Sequence, residues 1–92
     1  MKPIIFRRSA LADLEAIASH FDAIDPDIAV RIVADVESSL KRLKDFPMSG
    51  EEIRGTALRR ILSKRYRFII SYCVAPAQVE VVGVFRFQNR RA

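Results

Sequence analysis

Little in this chain can hold a metal, close a disulfide or cross a membrane. Among its 92 residues there is one cysteine, Cys73, and one histidine, His20. A lone cysteine cannot form an intrachain disulfide, and the pair falls short of the four ligands of a structural zinc site. No cofactor is therefore expected. No apolar run approaches the roughly 20 residues of a membrane-spanning helix, and Met1 to Arg8 lacks the apolar segment and cleavage site of a secretory signal. The expectation is a cytoplasmic protein with no membrane partner. Three glycines are present. Gly50 and Gly55 stand too far apart, and without the required lysine and serine, for a phosphate loop. Internal repeats and low-complexity segments are also lacking.

What is present is a foldable composition: 50% of the residues are hydrophobic and 29% charged. The length fits one domain spanning 1–92, with a core small enough that a stabilising partner would matter. The net charge of +5 is unevenly placed. Residues 1–46 hold seven Lys/Arg against eight Asp/Glu, whereas residues 47–92 hold nine against three. A basic second half implies an acidic partner, either protein or nucleic acid.

Pro3 to Arg8 carries Ile4, Ile5 and Phe6, a short β-prone run that Pro3 confines to an edge or a strand start. Ser9 then offers an N-cap, and Leu11, Leu14, Ile17, Ala18 and Phe21 recur at helical spacing to about Ala23. Asp25-Pro26 opens a second helix, with aspartate as cap and proline at the first helical position. Its apolar stripe is Ala29, Ile32, Val33, Val36, Leu40 and Leu43. The link between the helices is so short that they must pack antiparallel. Phe46-Pro47 ends the second helix, because proline drives the preceding residue out of helical dihedrals.

Ser49 to Thr56 reads as a loop. Two strands follow, Leu58–Leu62 and Tyr66–Val74, joined at Ser63-Lys64-Arg65; after Ala75-Pro76-Ala77, a last strand runs from Gln78 to Phe87. The fold class expected is α+β: an N-terminal strand, an antiparallel two-helix hairpin, then a three-stranded antiparallel meander with the helices on one face. Alternation puts Tyr66, Phe68, Ile70, Tyr72 and Val74 toward the helices. Arg67, Ile69, Ser71 and Cys73 fall on the other face, which is apolar enough to suggest a binding surface.

No triad or metal set is visible. His20 reads as a structural residue on a helix flank, Cys73 as a buried inert thiol, and the acidic residues of the first half as solvated faces and caps. The distinctive content is arginine. Arg59, Arg60, Arg65, Arg67, Arg86, Arg90 and Arg91, together with the apolar Ile69, form the expected partner-binding set. Such a cluster could hold RNA phosphates or dock on an acidic protein. A cleavage enzyme would also need a proton-transfer group, and none is well suited here.

Several segments in order resemble the RelE/ParE superfamily of toxin–antitoxin toxins, most closely its ParE (plasmid stabilisation) branch. They are Ala12-Asp13-Leu14-Glu15-Ala16-Ile17, Ala29-Val30-Arg31-Ile32-Val33, Leu40-Lys41-Arg42-Leu43, Phe46-Pro47-Met48-Ser49-Gly50, Leu58-Arg59-Arg60, Tyr66-Arg67-Phe68-Ile69-Ile70-Ser71-Tyr72 and Val81-Val82-Gly83-Val84-Phe85-Arg86. The resemblance implies a non-enzymatic toxin that inhibits DNA gyrase and is neutralised by a ParD-like antitoxin in a hetero-oligomer, with no specific nucleic-acid binding of its own. The alternative within the superfamily is a RelE-like ribosome-dependent mRNA endoribonuclease, with Arg59, Arg60, Arg67 and Arg86 on the RNA. The long helical hairpin, and an end Phe87-Gln88-Asn89-Arg90-Arg91 without tyrosine or histidine, favour the ParE branch. Gln88-Asn89-Arg90 stands where that branch often has a His-Gly-Arg-like end.

Overall fold

A computed structural model describes residues 2–86. Strand β1 (Ile4–Phe6) leads into helices α1 (Arg8–Asp22) and α2 (Pro26–Asp45), a 3-10 turn (Pro47–Ser49), and strands β2 (Glu51–Glu52), β3 (Arg59–Leu62), β4 (Ile69–Val74) and β5 (Val79–Phe85). The α+β class and the helix-hairpin-then-meander order are as expected. The sheet has five strands in the order β1-β5-β4-β3-β2, antiparallel except where β1 runs parallel to β5.

The second helix starts as its sequence dictates: the Asp25 side chain accepts the Asp27 amide at 3.0 Å, with Pro26 as the first helical residue. From this helix Ile32, Val36, Leu40 and Leu43 enter a core shared with Ala10, Phe68, Ile70, Tyr72, Val79, Val81 and Val84. Each large side chain buried there contributes roughly 1.5–3 kcal/mol before chain entropy is subtracted.

The first helix differs from expectation. Arg7 precedes it without a side-chain cap, and the Ser9 hydroxyl donates instead to the Val82 carbonyl at 2.7 Å. Asp13 is not a solvated helix charge either, since its carboxylate accepts the Val84 amide at 3.1 Å. The reason lies in the sheet. β1 pairs with β5 only as far as Val81, and β5 bulges at Val82, where Ser71 faces Gly83 but Tyr72 faces Val81. Arg7 continues the edge through its own amide, which donates to the Val81 carbonyl. The side chains of Ser9 and Asp13 then satisfy β5 where no strand follows, protecting an edge that would otherwise be open.

The β3–β4 connection is also longer than expected. Tyr66, Arg67 and Phe68 belong to the turn, not the strand, and Arg67 adopts φ 63°, the left-handed region that a non-glycine residue visits at a cost. The turn is closed by Ser63, whose amide donates to the Phe68 carbonyl and whose hydroxyl accepts the Phe68 amide at 2.9 Å. Phe68, Ile70 and Tyr72 nonetheless face the helices. The opposite face is less open than its sequence suggests: Ile69 and Ser71 are buried, and Cys73 is half-buried with its Sγ 3.5 Å from Arg7. Strand β2 was not foreseen. It forms because Glu51 and Glu52 pair with Arg60 and Arg59 across the ladder. Phe87, the expected end of the last strand, lies outside the described residues.

Candidate protein-docking site

The arginines marked by the sequence separate into two groups once the fold places them. Arg59 and Arg60 neighbour each other on β3 and so point to opposite faces. The Arg59 guanidinium donates to the carbonyls of Met48 (3.2 Å) and Gly50 (2.7 Å) and pairs with Glu52 at 3.1 Å. Arg60 pairs with Glu51 at 3.1 Å. Arg86 lies over the Phe21 ring, 5.5 Å from its centroid, and Phe21 meets Phe68 edge to face. These three are engaged within the chain. Ile69 is 6% exposed, flanked by Leu62 and Phe85 across the ladders. Arg90 and Arg91 lie outside the described residues.

Arg65 and Arg67 are different: both are exposed on the β3–β4 turn beside Lys64. Among the described residues the ion pairs are made by Arg7, Arg59 and Arg60, not by these tip cations. The turn is held from below by Asp35 of α2, whose carboxylate accepts the amides of Arg65 (3.0 Å) and Tyr66 (2.8 Å). Burial pushes this carboxyl up, but the Tyr66 amide, the Ser63 hydroxyl, the Arg65 amide and the nearby Arg65 charge outweigh it and hold its pKa below the ordinary range. A buried aspartate thus fixes the backbone that aims the cations.

Sequence reasoning read Asp35 as a surface charge and overlooked Arg31. One signal was available, because Arg31 and Asp35 are four apart on α2 and therefore share a face. A groove of about 440 Å³ runs between that face and the turn, lined by Arg31, Ala34, Asp35, Ser38, Lys64 and Arg65.

A second feature is rigid in the same way. Tyr72, fully buried, donates from its hydroxyl to the Pro47 carbonyl at 2.8 Å and accepts the Gly50 amide at 2.9 Å. Burial raises the phenol pKa, against the opposing pull of the Gly50 amide and the Arg59 charge. With Arg59 it ties down the loop after α2 while Phe46 and Met48 stay exposed at 66% and 61%. His20 is exposed, and its ring meets that of Phe21 edge-on with centroids 4.8 Å apart.

Fold and site together define a class: a small two-layer α+β domain that displays cations on a braced hairpin turn, a form suited to contact with another macromolecule. The chain belongs to the family described as ParE toxin of type II toxin-antitoxin system, parDE, whose model matches residues 4–91. It is 30% identical over 83 residues to "Putative toxin Y4kP" of Sinorhizobium fredii (strain NBRC 101917 / NGR234), covering 90% of this chain and 85% of that protein. Its fold is similar to that of a chain of the chromosomal ParDE TA system from P. aeruginosa. That match has a TM-score of 0.81 and 24% identity, and covers 94% of this chain and 96% of the other. Among the described residues no helix is long and apolar enough to cross a membrane.

Proposed function

We propose that this chain acts in the cytoplasm as the toxin of a ParDE-type pair, inhibiting DNA gyrase as a protein-binding inhibitor and silenced by an acidic ParD-like antitoxin. The observation that carries this reading, beyond family membership, is the exposed trio Lys64, Arg65 and Arg67 on a turn braced by Asp35. Fixed cations of this kind steer an acidic protein and set its register. The antitoxin engages this turn and the neighbouring sheet and helical hairpin, with Arg90 and Arg91 adding charge.

The engagement of Arg59 and Arg60 by Glu52 and Glu51, on opposite faces of β3, weighs against the nuclease alternative, which needs them together on RNA. Tyr72 is unsuited to proton transfer there, being buried with a raised pKa.

Purified chain added in excess to a gyrase supercoiling assay should abolish supercoiling, and an equimolar acidic antitoxin should restore it. Unchanged supercoiling refutes the gyrase reading, and new mRNA 5′ ends on translating ribosomes would replace it with the nuclease one. Reversing Arg65 and Arg67 to glutamate should weaken antitoxin binding at low salt by at least about tenfold, as expected for two cations facing carboxylates.

A further inference from the structure

The end of the molecule opposite the cationic turn carries a feature that the antitoxin contact does not use. Strand β4 runs away from that turn toward Ala75, and its six residues, at about 3.3 Å each, put roughly 20 Å between the two ends. At the far end the loop after α2 meets the β4–β5 turn. The Tyr72 hydroxyl, from β4, holds the Pro47 carbonyl. Lys2 bridges the two segments: its amide donates to the Lys44 carbonyl at 3.4 Å, and its ammonium to the carbonyls of Ala75 (2.8 Å) and Pro76 (2.9 Å). Phe46, Met48 and Pro76 are exposed at this end.

Single apolar side chains in water are ordinary, but Phe46 and Met48 stand on a loop fixed more firmly than a connection requires. The Met48 and Gly50 carbonyls accept from Arg59, and the Gly50 amide donates to the buried Tyr72 phenol. A segment that only joined α2 to β2 could turn these groups to water. Held in place, the two side chains lose little further freedom when a partner covers them. Rigid anchors of this kind are what concentrate binding energy in a few residues of an interface.

Charge selects the partner. Lys44 is followed by Asp45, Glu51 and Glu52 are engaged by Arg60 and Arg59, and the Lys2 ammonium is taken up by backbone carbonyls. This end therefore carries charges of both signs and little net field, whereas Lys64, Arg65 and Arg67 gather at the other. An acidic antitoxin is drawn to the turn; the loop suits an apolar, weakly charged pocket on a folded protein. We propose that Phe46 and Met48 are the anchors by which the chain grips its protein target, at a surface separate from the cations that receive the antitoxin. The proposal rests on the reading of the chain as a protein-binding inhibitor, and it makes inhibition and neutralisation separable by mutation.

The test compares the wild-type chain, a loop variant (Phe46→Gln with Met48→Gln) and a turn variant (Arg65→Glu with Arg67→Glu). Three assays are used: growth of bacteria expressing the chain, gyrase supercoiling, and binding of poly-glutamate at low salt. Both anchors are exposed, so replacing them should leave the urea midpoint unchanged, and Met48→Gln alone serves if the pair does not fold. The loop variant should need at least about tenfold more protein to inhibit and should no longer arrest growth, while binding poly-glutamate as the wild type does. The turn variant should lose poly-glutamate binding and keep inhibition. A loop variant that inhibits and arrests growth like the wild type overturns the proposal. So does one that loses poly-glutamate binding, which would assign the loop to the acidic partner, or a turn variant that loses inhibition. If the wild-type chain arrests growth with supercoiling intact, gyrase is refuted as the target, and growth arrest alone then decides for or against the anchors. A wild-type chain that does neither overturns both.

Discussion

Tyr72→Phe isolates one hydroxyl at the point where the loop after α2 meets the sheet. The ring stays in place, but the Pro47 carbonyl and the Gly50 amide both lose their partner. Pro47 is half-buried and its carbonyl can turn to water, whereas Gly50 is buried and its amide cannot do so without opening the loop. An unsatisfied buried polar group costs about 1–3 kcal/mol, and a lost but rehydrated hydrogen bond about 0.5–1.5, so the sum is about 2–4 kcal/mol. A domain of this length has a total stability of roughly 5–14 kcal/mol. At about 4–8 °C per kcal/mol, the midpoint should fall by roughly 8–32 °C.

Urea unfolding followed by far-UV circular dichroism measures the loss, and an unchanged slope shows that only stability moved. A loss below about 0.5 kcal/mol, the range of an ordinary surface substitution, would refute the reasoning, because water would then serve the loop as well as the phenol does. A second readout is alkaline. The folded state raises the Tyr72 pKa, so its contribution is complete below the ordinary tyrosine value near about 10 and is lost as pH rises through the raised one. The phenylalanine variant should lack that part of the alkaline loss.

Other perturbations probe the remaining braces. Asp35 has a folded pKa below its unfolded value, so its contribution is present above the unfolded carboxyl pKa and disappears as pH falls through the folded one. Asp35→Asn should flatten the acid limb of stability between about pH 5 and pH 2, measured by urea midpoints at each pH. Gly50→Ala would place a methyl group against the Tyr72 hydroxyl and 2.8 Å from the Arg60 carbonyl. Since backbone cannot yield as a flexible side chain can, this variant should destabilise by about 2–4 kcal/mol, or fail to fold, in the same assay. Asp13→Ala frees the Val84 amide, which should exchange its hydrogen markedly faster while the overall loss is about 1–2 kcal/mol.

Much of this architecture is legible in sequence because it rests on local chemistry. Asp25-Pro26 marks a helix start through a cap and a missing amide, and the stripe from Ala29 to Leu43 dictates which face of α2 is buried. Ile70 and Tyr72 announce a strand facing a core. The misreadings share one cause, namely polar side chains whose partners are remote in sequence. Ser9 looks like a cap and Asp13 like a solvated acid until β5 arrives to claim both. Asp35 reads as a solvated acid because Arg65 and Tyr66, which occupy it, lie 30 and 31 residues away. The site suffered in the same way. Arg59 and Arg60 count as free cations until β2 supplies the glutamates that engage them, whereas, among the described arginines of the expected set, the turn cations Arg65 and Arg67 stay exposed.

The parallel pairing of β1 with β5 also governs when the protein can exist in active form. Ser9 bonds to a residue 73 positions later, and Ile4 aligns with Val79. During synthesis, at about 5–20 residues per second, the first strand and the start of α1 must wait for nearly the whole chain before their partner leaves the ribosome. A nascent or prematurely terminated chain lacks β5, the strand between β1 and β4, and with it Val79, Val81 and Val84 of the core. The fold thus makes near-complete synthesis a condition for closing the sheet and its core.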